Sequence, residues 1–157
     1  MTVLLHAAGG MLLLCAGTCF GFTAAARIRD CQRQLHSLSR LFGYLAELLS
    51  AQALAGPELL HRAARRPEFA DFCPAGAAAL ADLHLPSCLP EALRCEALQT
   101  LRSAEESPRL TACAALHRLA ALCEEEACSR AEQYRAARLL WPRLGACLGV
   151  LTAILLW

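Results

Sequence analysis

No Asp, Glu, Lys or Arg occurs between Met1 and Ala26, and none between Leu144 and Trp157; all 15 basic and 14 acidic residues lie from Arg27 to Arg143. A domain surrounded by water spreads its charges along the whole chain, so this distribution excludes a uniformly solvated fold. It describes a chain that enters a bilayer at both ends and keeps its middle in water. Lysine and asparagine are missing altogether, while Ala, Leu and Arg abound, which is codon bias rather than chemistry. Charge of one sign is not in excess either. A net charge of +1 leaves no basic field for nucleic acid.

Other absences narrow the function. No GxxxxGK[ST], GxGxxG, GxSxG or HExxH occurs, so nucleotide binding and hydrolysis are not indicated. The first apolar run carries no acidic or basic residue to line an ion path, which argues against a transporter. β-branched residues are few and nothing alternates over more than a few positions, which excludes a sheet. No enzyme and no cofactor is expected.

What is present starts with two anchors. Val3 to Ala26 would make about 36 Å of helix, enough to cross a hydrocarbon core of about 30 Å with some tilt. Gly17-x3-Gly21 on it offers a small-residue face for another helix. Ala24-Ala25-Ala26 resembles a cleavage site, but a signal peptide wants a basic segment before the apolar run and Met1 to His6 supplies none. The positive charge follows instead, at Arg27, Arg29 and Arg33, and holds the downstream side in the cytoplasm. The C-terminal run from Leu144 to Trp157 is short of a span. Extended back to Leu139 it takes in Pro142 and Arg143. Arg143 can snorkel, Trp141 and Trp157 suit the interfaces, and Pro142 fits a helix start or a kink. A buried tail helix is the competing reading of this end.

The middle reads as helices punctuated by proline. Apolar residues at Ile28, Leu35, Leu38, Leu41, Phe42, Leu45, Leu48 and Leu49 recur at steps of 3, 4 and 7, predicting an amphipathic helix to Leu54 that continues the first anchor. Further helices are predicted from Pro57 to Ala64, Ala75 to Leu83, Pro90 to Leu101, and Ser107-Pro108 to Arg138, with a loop around Phe69 and Phe72 between Pro67 and Pro74. The expected fold is all-α. It comprises an N-terminal transmembrane helix at 1–26, a compact cytoplasmic bundle of about five helices at 27–138 and a short C-terminal anchor at 139–157.

Ten cysteines suggest a disulfide framework until their positions are read. They are scattered over helix-like sequence with no CxxC pair, and behave as packed thiols of a reducing compartment. Cys113 and His117 stand four apart as possible metal ligands, but a closed site needs two more. His84 and Cys88 straddle Pro86 and have no defined geometry. No metal site is expected. The charge clusters that could dock a partner are Arg27-Ile-Arg29-Asp30, the Arg62, Arg65 and Arg66 group, and the run Glu124, Glu125, Glu126. Consecutive glutamates on a helix point about 100° apart and cannot converge on one ion, and Arg130 lies in reach of Glu126.

Arg138-Leu-Leu-Trp-Pro-Arg-Leu-Gly-Ala-Cys-Leu-Gly-Val-Leu-Thr-Ala-Ile-Leu-Leu156 resembles the ending of the stage III sporulation protein AB family: a basic residue, a Leu-Gly-x3-Gly stretch and a final Ile-Leu-Leu. Gly21-Phe22 followed by Arg27 and Arg29 is similar to that family's exit from its first anchor. Leu45-Ala-Glu47-Leu48 and Pro57-Glu58-Leu59-Leu60 resemble its Glu-Ile and Pro-Leu-x-Glu-Ala-Leu segments. The resemblance implies a non-catalytic component of a secretion-like channel complex in the mother-cell membrane facing the forespore. Its fold would be similar to the cytoplasmic domain of type II secretion platform protein F. Its partners would be the lipid bilayer, a cytoplasmic secretion-type ATPase and other membrane proteins of the complex. Two other classes stay open: a thiol-redox or metal-binding membrane protein, and a holin-like pore former.

Overall fold

A computed structural model describes the backbone of residues 2–51, 56–74 and 76–155, and their side chains except 2–8, 10–14, 18, 20, 21, 141, 142, 148, 149 and 152–155. Four α-helices and one 3₁₀ turn make up the described chain: α1 (Thr2–Ala51), α2 (Gly56–Ala64), the turn Leu80–Asp82, α3 (Glu91–Glu106) and α4 (Arg109–Leu155). The fold is all-helical, with no strand among the described residues.

The chain divides into two units. The larger, Cys31–Cys128, holds the main core. Along α1 the residues Leu35, Leu38, Leu41, Phe42, Leu45 and Ala46 are fully buried, the stripe that spacings of 3 and 4 dictate. They meet Leu59, Leu60 and Ala63 of α2, Ala97 and Leu101 of α3, and Leu116, Leu119 and Cys123 of α4. Polar contacts fix the α1–α4 register. His36 meets Glu124, the Ser39 hydroxyl donates to the Ala120 carbonyl at 2.9 Å, and the Cys113 thiol donates to the Ala46 carbonyl at 3.6 Å. As the α1 number rises the α4 number falls, so the two helices are antiparallel.

Phe69 and Phe72 fold back into this core through successive tight turns, in which the amides of Arg66, Phe69 and Phe72 each donate three residues back at 3.0 Å. The predicted helix from Ala75 to Leu83 is not formed; only Leu80–Asp82 is helical, as a single 3₁₀ turn. Gly76 sits at φ 91°, outside the right-handed helical region. The Asp82 carboxylate accepts from the amides of Ala78 and Ala79 at 3.1 and 3.0 Å, a local alternative to helical pairing. Among its described residues the middle therefore carries four α-helical segments and a turn where about five helices were expected. α3 outruns its predicted end at Leu101 and stops at Ser107, which is extended (φ −89°, ψ 154°) as the residue before a proline must be.

The second unit joins Met1–Asp30 to Ser129–Trp157. Here α1 and α4 approach through small residues. A Cβ placed on Gly17 would lie 3.0 Å from the Gly145 carbonyl oxygen and 3.6 Å from its Cα. Ala25 and Ala137 are buried in the same unit. Large apolar side chains face outward instead: Phe22, Leu139, Leu140, Leu144, Val150 and Leu151 are 47–63% exposed. Pro142 does not start a new helix, because α4 is continuous from Arg109 to Leu155. A proline costs one backbone hydrogen bond and crowds the preceding turn without obliging the helix to end. Among the described residues, no helix is long and apolar enough to cross a membrane. Most side chains of the expected span at 1–26 and of the final turns of the expected anchor at 139–157 lie outside the described residues.

Candidate docking surface

The arginine group is built by the exit of α2. Pro57 and Glu58 open that helix, and His61 and Arg62 occupy its last turn, where cations face the negative end of the helix dipole. Leu59, Leu60 and Ala63 turn inward. This leaves Arg62 partly exposed and Arg65 and Arg66 exposed beyond them. Arg62 reaches Glu58 one turn back at 3.4 Å. Arg66 approaches Glu68 at 3.5 Å, and its guanidinium lies over the Tyr44 ring at 4.2 Å from the centroid. Glu68 is shared with Arg40 at 2.9 Å. Tyr44 is itself held by Phe69, ring centroids 5.8 Å apart. Arg65 makes no ion pair with a described residue.

These side chains enclose an open cleft of about 420 Å³, floored by Tyr44 and Leu48 and walled by Glu58, His61, Arg62, Arg65 and Arg66. The structure thus brings the three predicted arginines to one site. It adds Tyr44, Leu48 and His61, which the sequence did not single out. Glu58 and Arg62, four apart, carry a local signal. Tyr44 carries none, because it reaches Arg66 only through the tertiary packing of α1 on α2.

The glutamate run is a separate place. Glu124 bonds the His36 ring at 2.9 and 3.2 Å across the α1–α4 seam, Glu125 is exposed, and Glu126 is half-buried. Surface pairs of this kind contribute on the order of 0.2–1 kcal/mol and fix register more than stability. Arg27, Arg29 and Asp30 are exposed in the unit formed by the two chain ends.

The thiols and histidines are dispersed. No three metal-ligating side chains converge among the described residues. The Cys113 thiol points to the Ala46 carbonyl while His117 is exposed, so the pair four residues apart diverges. His84 lines an open cleft with Asp71, Ser87 and Arg94, whereas the Cys88 thiol turns to the Cys31 carbonyl and the Gln34 amide oxygen. No disulfide forms among the ten cysteines. Burial pushes the Cys73 thiol up. Burial, and then the neighbouring Glu124 carboxylate, push Cys123 up to about 12, which keeps both thiols protonated and unreactive near neutrality. The Arg94 guanidinium donates to the Pro86 carbonyl at 2.8 Å and so pins the loop before α3.

No protein family, no curated protein and no solved structure matches this chain.

Proposed function

We propose that the protein is a membrane-anchored helical scaffold whose two ends share the bilayer while its middle offers a docking face to a cytoplasmic partner. The observation that carries this reading is the inverted packing of the unit formed by the chain ends. Small residues are turned inward at Gly17, Gly145, Ala25 and Ala137, and leucine, valine and phenylalanine are turned outward from Phe22 to Leu151. In water this arrangement leaves its apolar area exposed. In lipid it is the usual solution, because tails solvate leucine while small residues let backbones approach. The absence of Asp, Glu, Lys and Arg from both ends supports the same placement, and Arg27, Arg29, Arg33, Arg135, Arg138 and Arg143 beside them favour a cytoplasmic middle.

The resemblance to stage III sporulation protein AB supports the finer assignment: a non-enzymatic part of a secretion-like channel complex in the mother-cell membrane facing the forespore, docking a secretion-type ATPase. The cleft around Arg62, Arg65 and Arg66 is the docking face under this reading. Fluorescent and phosphatase reporters fused to either terminus, with a protease-sensitive tag near Pro86, test the topology. Both termini outside and the tag inside is the expected pattern; an exported tag refutes it.

A further inference from the structure

We propose that the cleft between α1 and the exit of α2 takes an acidic segment of a partner protein, one carboxylate on Arg65 with a neighbouring aliphatic side chain on Tyr44 and Leu48. This deepens the scaffold reading and rests on it. Within the cleft, two of the three arginines are already engaged with carboxylates of this chain: Arg62 with Glu58 and Arg66 with Glu68. Arg66 is further fixed over the Tyr44 ring, which sets its guanidinium as a wall rather than a mobile arm. Arg65, exposed between them, pairs with no described carboxylate, yet lines the same space. Its planar fork suits a carboxylate held by two parallel hydrogen bonds.

The composition of the cleft selects among anions. Glu58 in the wall repels a doubly charged phosphate more than a single carboxylate. The Tyr44 and Leu48 floor is apolar and anchored on the core, which rewards an aliphatic side chain beside the charge. A peptide carrying Glu next to Leu meets both conditions; a free phosphate monoester meets neither, and a singly charged headgroup lacks the adjacent aliphatic side chain. Charged walls of this kind raise the rate and selectivity of encounter and make it dependent on salt.

The probe is a fluorescein-labelled peptide of alternating Glu and Leu, titrated by fluorescence anisotropy against the full chain in uncharged detergent micelles. Binding that weakens with salt is expected. Arg65→Gln should weaken it about threefold and Arg65→Glu about tenfold, with Arg102→Gln, on α3, without effect and circular dichroism unchanged throughout. A matched peptide with Gln for Glu should not bind. Equal affinity for wild type and Arg65→Glu overturns the proposal. So does Arg65-dependent capture of the chain by phosphatidylglycerol vesicles in the absence of any peptide binding. The reporter fusions separate the two readings: two membrane-crossing ends with no peptide binding leave the anchor standing and remove the cleft, and peptide binding with an exported middle does the reverse.

Discussion

Gly17→Leu tests the close approach of α1 to α4 at Gly145. Even a single Cβ at this position would stand 3.0 Å from the Gly145 carbonyl oxygen, tighter than ordinary van der Waals contact, and 3.5 Å from its carbon. Leucine adds three more carbons in the same direction, against backbone that cannot rotate away as a side chain would. The two helices must separate, and the cost is that of overpacking, about 1–3 kcal/mol. A cost of that size shifts the closed-to-open ratio of the helix pair roughly 5- to 160-fold, since each 1.4 kcal/mol is a factor of ten. The tryptophans of the chain are Trp141, four residues before Gly145 on α4, and Trp157. Tryptophan fluorescence is recorded during titration of mild detergent micelles with dodecyl sulfate to follow opening of the pair. Gly9→Leu is the control: its Cβ would meet nothing within 4 Å, on the same helix and in the same charge-free run. The Gly17 variant should open at a lower dodecyl sulfate fraction than wild type, and the Gly9 variant should not. Equal midpoints for the two variants would refute the close packing of Gly17 on Gly145.

Ser39→Ala removes the hydroxyl that donates to the Ala120 carbonyl and should cost about 1 kcal/mol of stability in the helical middle, read as a lower urea midpoint by circular dichroism. Alkaline pH should destabilise the same region. Cys123 keeps its proton until about 12 when folded, against 9.0 ordinarily. Between those values the unfolded chain releases a proton that the folded chain retains, so stability falls as pH rises past 9, by about 1 kcal/mol per unit. Cys123→Ala should flatten that slope in urea titrations at pH 8 and 10, and a slope unchanged by the substitution would contradict the assigned cause.

The helices of the middle were largely legible because their apolar spacing is their cause. The stripe from Leu35 to Leu45 is buried where the 3-and-4 pattern places it, and α2 begins at the Gly56-Pro57 signal. The segment from Ala75 to Leu83 misleads because its alanines favour a helix intrinsically. The positive φ of Gly76 and the Asp82 carboxylate, bonded to nearby amides, decide the local conformation. As a helix start Pro142 misleads in the opposite sense, since one missing hydrogen bond does not outweigh a long helix on either side of it. Gly17 and Gly21 announce a small-residue face, but not its occupant. The occupant at Gly17 is this chain's own Gly145, far away in sequence. The cleft was half legible for the same reason. Three arginines within five residues are visible at once, whereas Tyr44 joins them only when α1 packs on α2.

The central claim is that the chain ends lie in lipid and the middle in water, and the native cysteines can report it without any fusion. Cys15, Cys19 and Cys147 are exposed on the unit of the chain ends, while Cys95 and Cys128 are exposed on the middle. Inverted membrane vesicles, with the cytoplasmic side outward, would be treated with a charged maleimide and the labelled peptides identified by mass spectrometry. The account predicts prompt labelling of Cys95 and Cys128, and of Cys15, Cys19 and Cys147 only after detergent is added. Prompt labelling of all five in intact vesicles would contradict it.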